Sequence, residues 1–367
     1  MPDKTAVTAS AALFERKQTL LDVRSPIEFN RGAFPNALNL PLLTDGEREA
    51  VGIRYKQSGQ EAAIRLGEEL VSGELKKQRM DQWRQCIKNH PNAVLYCFRG
   101  GLRSSTVQSW LAEEGLKVTI VNGGYKSLRK YCLNTIEEAA SLKKFLVIGG
   151  KTGCAKTHLL EKLIHSIDLE GAANHRGSAF GRRVNDQPSQ IDFENQLAIS
   201  LMEINFTAAN KIFLEDESKA IGSLSVPIPL IQEMRISPLA LIEETLESRV
   251  ATILDDYIIS NHQEYEAIAR ESYSELFAEF LLSSLIRIRR RLGEENYSEI
   301  KSLMDQALIT NNHEEAREIH RAWIEKLLTN YYDPMYDYQL EKKAQRLVFR
   351  GCKDEFTNWA SNIDKVL

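Results

Sequence analysis

Short apolar runs alternate with stretches of helical periodicity through the first third of the chain. Residues 19–23, 94–97 and 118–121 read as strands, and residues 61–70 and 104–114 repeat their apolar positions at helical spacing. That alternation predicts an α/β fold with a parallel sheet. Beyond Gly123 and Gly124 a polar, helix-patterned connector over residues 127–144 leads to a second apolar strand at 145–148. A second α/β unit begins there and reaches another strand at 211–215. From about Pro238 onward Glu, Arg, Leu and Ile recur at helical spacing with few glycines, which predicts a helical C-terminal region. The expected divisions are residues 1–135, 136–240 and 241–367. No repeat with a period of 20 to 50 residues interrupts this plan.

Composition narrows the picture in three ways. A chain of 367 residues with 43% hydrophobic content can bury a large core and has the size of two domains. A formal charge of −4 gives no global basic field, so any nucleic-acid contact must come from local patches. The five cysteines, Cys86, Cys97, Cys132, Cys154 and Cys352, form no CxxC pair, which fits reduced thiols in the cytoplasm better than a disulfide framework or a zinc site. Residues 6–14 are mildly apolar, but Asp3, Lys4, Glu15 and Arg16 flank them and make a poor signal peptide. No apolar run approaches the ~18 residues that a membrane span requires. The expectation is a soluble protein without membrane contact.

Candidate chemistry starts at Cys97. The run Val94-Leu95-Tyr96-Cys97-Phe98-Arg99-Gly100-Gly101-Leu102-Arg103 places a cysteine at the end of a buried strand, before a glycine turn and a helix. Such a turn aims backbone N–H groups and a helix N-terminus at the sulfur, an environment that favours the reactive thiolate. Arg99 and Arg103 add planar cations suited to an oxyanion. With the stretch from Leu20 through Glu28 and Gly32 to Pro41, and the closing run Val121-Asn122-Gly123-Gly124-Tyr125, residues 10–130 resemble the rhodanese family. The resemblance implies a cysteine that carries a persulfide or an analogous selenium species. The loop from Cys97 to Arg103 is a residue longer than in sulfur-transferring members and similar in length to rhodanese-fold phosphatases, so a phosphatase is a second reading.

A strand at 145–148 followed by Gly149-Gly150-Lys151-Thr152-Gly153-Cys154-Ala155-Lys156-Thr157 and a helix is the context of a phosphate-binding loop. Its amides would cradle phosphates, Lys156 would reach a terminal phosphate and Thr157 would hold Mg²⁺. Ala155 stands where glycine is usual, placing a Cβ where backbone normally approaches phosphate. Farther on, the apolar run 212–214 ends in Glu215-Asp216-Glu217-Ser218, and Asp216 is the expected metal-organising carboxylate. Cys154 reads as a small side chain filling a serine-like position.

Arg182, Arg183, Arg287, Arg289, Arg290 and Arg291 form local basic clusters, and Tyr336 lies in an aromatic segment that could stack on unpaired bases. Taken together with Tyr55-Lys56-Gln57 and His175-Arg176-Gly177-Ser178-Ala179-Phe180-Gly181, the whole chain resembles the tRNA 2-selenouridine synthase family. That resemblance implies tRNA carrying wobble 2-thiouridine as substrate. It implies geranyl diphosphate and selenophosphate as co-substrates, with selenophosphate synthase as a possible partner. Cys97, Arg99, Arg103 and Lys156 would be catalytic, the basic clusters and Tyr336 would contact tRNA, and the helical C-terminal region would carry part of that contact. A sulfurtransferase or phosphatase fused to a P-loop kinase, and a nucleotide-switched scaffold, are the other classes compatible with the motifs.

Overall fold

The computed structural model describes residues 5–15, 18–269 and 272–362. It divides into two compact units, Met1–Glu138 with Ser189–Glu203, and Ala139–Pro188 with Ile204–Leu367.

The first unit is built on five parallel strands: β1 (Ala6–Val7), β2 (Leu20–Asp22), β3 (Ala37–Asn39), β4 (Val94–Tyr96) and β5 (Thr119–Val121). Their order is β1-β5-β4-β2-β3. β2 and β4 are buried at every position, which is why they read as continuous apolar runs rather than alternating ones. The helices Gly73–Asn89 and Leu102–Glu113 bury Trp83, Val107 and Leu111 against Leu21, Val23 and Leu95. The Trp83 indole N–H donates to the Leu40 carbonyl at 2.9 Å, so the largest core side chain leaves no polar atom unpaired.

The helical segment Asp45–Leu70 opens with a capping box between Thr44 and Glu47 and breaks at Gly59, whose φ of 78° no helix allows. A Cβ built on Gly67 would lie 3.9 Å from Val51 Cγ2. Sixteen residues along one straight helix would separate those positions by about 24 Å. Gly59 therefore turns the segment back on itself as a helical hairpin.

At the end of β2 a buried ion pair organises the loops. Arg24 is 1% exposed; its Nε donates to Asp22 at 2.8 Å, and its two terminal nitrogens donate to the carbonyls of Glu28 at 3.0 Å and Gly32 at 2.9 Å. Its guanidinium lies 3.8 Å from the centre of the Tyr125 ring. The helix Gln190–Glu203 completes this unit: Asp192 accepts the Ala33 N–H at 2.7 Å, and Asn195 accepts from Arg129 at 2.7 Å.

The second unit holds β6 (Phe145–Gly150), β7 (Ser166–Ile167), β8 (Ile212–Glu215), β11 (Leu239–Ile242) and β12 (Leu347–Gly351) in the order β12-β11-β6-β8-β7, all parallel. A small hairpin of β9 (Ala220–Ile221) and β10 (Leu224–Ser225) stands apart from that sheet. The C-terminal third, expected to be helical, supplies two of the five strands. Leu239 to Ile242 is a buried four-residue run, too short to show a period. Around these strands the expectation holds: Tyr273–Leu292, Glu294–Ile309 and His313–Leu327 are helices, and they bury Phe280, Leu285, Trp323 and Ile324. Among the described residues no helix is long and apolar enough to cross a membrane.

The Asp22 to Arg24 pair makes a stability prediction. Asp22→Asn leaves a buried guanidinium without its counter-charge and should destabilise the N-terminal unit by about 3–5 kcal/mol. Urea unfolding followed by Trp83 and Trp110 fluorescence measures this, and an unchanged midpoint would show the pair to be dispensable.

Candidate active sites

In the first unit the cysteine loop leaves β4 at its C-terminal end. Cys97 is 3% exposed, and its sulfur lies 3.3 Å from the Ser104 hydroxyl and 3.9 Å from the Gly101 carbonyl. The loop is anchored from behind: the N–H groups of Tyr125 and Lys126 donate to the carbonyls of Cys97 at 2.8 Å and Phe98 at 3.1 Å. Arg99 and Cys97 both line a cavity of about 1310 Å³. Arg103, expected beside an oxyanion, lines that cavity too and forms a two-pronged ion pair with Glu28, which Arg48 also approaches at 3.3 Å. Burial opposes the charge on Glu28, but the hydrogen bond and charge of Arg103 prevail and hold its carboxyl down at about 2. Arg103 is thus committed to loop structure at least as much as to a ligand. Ser104 and Glu28 were not singled out from the sequence.

In the second unit the phosphate-binding loop leaves β6, and Lys156 begins the short helix Lys156–Leu160. Ala155 adopts φ 50°, ψ 44°, the left-handed conformation that explains why glycine is usual there. Gly150 and Gly153 have no such latitude. A Cβ on either would press to 2.8 Å from the Ile242 carbonyl and 2.7 Å from the Arg249 carbonyl respectively. Arg249 braces the loop, with Nε donating to the Thr152 carbonyl at 3.1 Å while its terminal nitrogens grip Asp333. Lys151 pairs with Asp337 at 2.9 Å, at the outer edge of the loop. Cys154 is 1% exposed, and burial pushes its thiol up.

Lys156 donates to the Gly150 carbonyl at 3.0 Å and faces the Tyr336 ring, 6.0 Å from its centre. Burial works against its charge, yet Tyr336, Glu170, Cys154 and Glu217 together raise it above the ordinary lysine range. The Thr157 hydroxyl donates to Glu215 at 3.0 Å and lies 3.5 Å from Glu170. Burial first, then mutual repulsion, holds Glu170, Glu215 and Glu217 well above the usual carboxylate range.

Asp216, the carboxylate chosen from sequence, lines the phosphate-loop cavity and pairs with Lys343 at 2.5 Å. Oxygen donors of the type Mg²⁺ prefers are also present at Thr157, Glu215 and Glu170. Among the described residues no preassembled group of three or more His, Cys, Asp or Glu encloses a metal ion.

The loop opens on a cavity of about 1360 Å³ whose wall includes Lys156, Thr157, Glu170 and Tyr336. Arg176, Arg183, Arg287, Arg290 and Arg291 line it as well. The Arg183 Nε is buried without a hydrogen-bond partner, and neighbouring arginines help lower Arg176 and Arg287 below the ordinary range after burial itself. Arg289 departs from this group: it is half-exposed, pairs with Glu294 at 2.6 Å and lies over Tyr297. Arg182 is exposed in a bridge with His175. The structure thus brings Arg183, Arg287, Arg290, Arg291 and Tyr336 to one cavity with the phosphate loop, and adds Arg176, Glu170, Glu217 and Arg249 to it or its support. Arg176 and Glu217 lie in loop segments that the sequence marks as motifs, whereas Glu170 and Arg249 are charged residues on short helices with no local signal.

Residues 5–131 match the Rhodanese-like domain family and residues 143–365 match the tRNA 2-selenouridine synthase AAA domain family. A tRNA 2-selenouridine synthase of Pseudomonas fluorescens Pf-5 is 49% identical over 92% of this chain and 93% of its own length. Proteins of the same name from Marinobacter nauticus and Shewanella sp. MR-7 are each 46% identical, over 95% of this chain and 95% of their own. With both domain families matched in order and such likeness along nearly the whole length, the chain belongs to the tRNA 2-selenouridine synthase family.

Proposed function

We propose that this protein is a transferase that replaces the sulfur of wobble 2-thiouridine in tRNA with selenium, acting in the cytoplasm where tRNA resides. The observation that carries the reading is that one chain pairs a rhodanese-type cysteine loop with a phosphate loop facing an arginine-lined cavity. Its relatives bear the name of that activity.

The chemistry proceeds in two steps. The thiocarbonyl sulfur attacks the first carbon of geranyl diphosphate, the carbon–oxygen bond breaks, and the N3 proton is lost as diphosphate departs. Lys156 and the loop amides stabilise that departing charge. Thr157, Glu215 and Glu170 would hold the Mg²⁺, which supplies further charge neutralisation when bound. Alkylation turns sulfur into a leaving group. Selenophosphate then attacks C2 through its selenium, geranylthiol leaves with a proton, and water cleaves the selenium–phosphorus bond to release phosphate. Cys97 is the group placed to assist that attack, with Arg99 beside it for the phosphate. Supply of selenophosphate would favour contact with selenophosphate synthase.

Three outcomes test this. Cys97→Ser should abolish selenium incorporation and let geranylated tRNA accumulate, because a hydroxyl matches the thiol in size but not in nucleophilicity; nucleoside mass analysis reads both products, and full selenation would remove Cys97 from the reaction. Lys156→Ala should slow geranyl transfer by roughly 10²–10³-fold while tRNA already geranylated is still converted. A strict requirement for ATP or GTP in the transfer step would instead assign the loop to a nucleotide. Replacing Arg290 and Arg291 with alanine should make the salt dependence of tRNA binding shallower by roughly 0.7–0.9 in log–log slope per lost phosphate contact. Arg289→Ala, already neutralised by Glu294, should change it little, and equal effects at all three positions would deny the cavity its role.

A further inference from the structure

The cavity at Cys97 differs in kind from the one at the phosphate loop. One wall is the helical hairpin Asp45–Leu70, which contributes Val51, Ile53, Ala63 and Ile64. The facing wall, beside the cysteine, contributes Leu102 and Trp110. Ile53 is 48% exposed and Leu102 54%, so large aliphatic side chains stand open to water on both walls of one trough. Apolar surface gathered in this way around a reactive group marks a ligand seat. The rim is predominantly cationic: Arg31, Lys56 and Arg99, none of them held in an ion pair among the described residues, outnumber the exposed acids Glu49 and Glu68 on it. The trough is about 1310 Å³, far larger than a selenophosphate ion needs.

An apolar trough with a cationic rim complements a ligand that is a hydrocarbon on one side and a polyanion on the other. We infer that this trough seats the geranyl chain of S-geranylated tRNA, with the RNA backbone at the arginine and lysine rim and the modified base at Cys97. The inference rests on the two-step reading above. In that reading the carbon that receives selenium also bears the S-geranyl group, so the chain must lie close to the Cys97 loop where selenophosphate reacts. The phosphate-loop cavity must seat the chain of geranyl diphosphate in the first step, and Ile231, Met234, Ile253, Ile288 and Met335 on its wall can do so. Lys156, Glu170, Glu217 and arginines share that wall, so after diphosphate departs the chain is better desolvated in the less charged trough. The hairpin supplies the purpose of the Tyr55-Lys56-Gln57 run, which the phosphate chemistry leaves unused. Gly59 folds the hairpin so that Ile53 from one arm and Ile64 from the other line the same trough.

The test is direct binding by the full-length protein of anticodon stem-loop RNAs that carry S-geranyl- or S-methyl-2-thiouridine. The wild type should bind the geranyl RNA roughly 100-fold more tightly, since even a single methylene in an apolar pocket can be worth tenfold. Ile53→Asp and Leu102→Asp, both at exposed positions, should each remove most of that preference while leaving the affinity for the S-methyl RNA in place; Ile53→Met should keep it. Circular dichroism verifies folding, and Ile53→Ser serves if the aspartate variant is misfolded. A wild type that shows no preference, or variants that retain it, overturns the assignment and points to another occupant such as a protein partner. A separate arm supplies wild type with S-geranyl RNA and selenophosphate: failure to form 2-selenouridine there sinks the two-step reading itself, independently of where the chain binds.

Discussion

Backbone packed directly on backbone sets the reactive loop of each unit. A side chain on Gly124 would collide with the Cys97 carbonyl and the Gly100 N–H, and one on Gly100 would come within 2.6 Å of the Gly123 nitrogen. The loops after β4 and β5 can therefore meet only as bare backbone, and that contact fixes where the thiol sits. In the second unit Gly150 and Gly153 meet the carbonyls of Ile242 and Arg249 in the same way. Both loops grow from the C-terminal ends of buried parallel strands, the place where such sheets bind ligands. Rigid strands and close-packed glycine turns leave the thiol and the ammonium little freedom, which is what a group must have if it is to act on a transient charge.

Charge is the second constraint, and it separates the two cavities. Lys156 is a buried cation whose charge is retained because acids and an aromatic ring surround it. Those acids in turn repel one another. On the reading proposed above, a diphosphate would compete with the carboxylates for Lys156 and for the arginines, and a divalent cation would offset the crowded acids. The cysteine cavity has no comparable assembly: its Glu28 is already consumed by Arg103 and Arg48, which leaves aliphatic walls and a rim where cations outnumber the exposed Glu49 and Glu68.

Much of this could be read from the sequence, and the failures have identifiable causes. The strands flanking both loops announced themselves as apolar runs that end in glycine turns, and the loops followed from them. At the acidic end of β8, composition marks the carboxylates without their directions. Successive residues there point to opposite sides, so Glu215 reaches Thr157 while Asp216 reaches Lys343. β11 and β12 were lost in the helical C-terminal third because runs of four and five residues carry too little periodicity. Gly59 gave no warning of the hairpin, since a single glycine inside a helical pattern is usually tolerated. The helix Gln190–Glu203 packs with the N-terminal unit through Asp192 and Asn195, polar contacts across long stretches of sequence that no local pattern encodes.

The environments of the five thiols argue for a single chemical cysteine. Burial raises the thiols of Cys86, Cys132 and Cys154, with Cys132 pushed up to about 12, and a thiol that stays protonated is a weak nucleophile. Cys154 is the instructive case, because it lies inside the phosphate loop with Lys156 nearby, yet the apolar packing of Leu146, Ile148 and Leu159 outweighs that cation. Cys352 is exposed, but it caps the helix Lys353–Ala360 and lines neither cavity. Cys97 alone among the five combines a cavity wall, a hydroxyl neighbour in Ser104 and an adjacent arginine. On the proposed reading, a thiol in the apolar cavity and a buried, inert one in the polar cavity would keep selenium chemistry apart from phosphate chemistry, each loop meeting a substrate suited to its own surroundings.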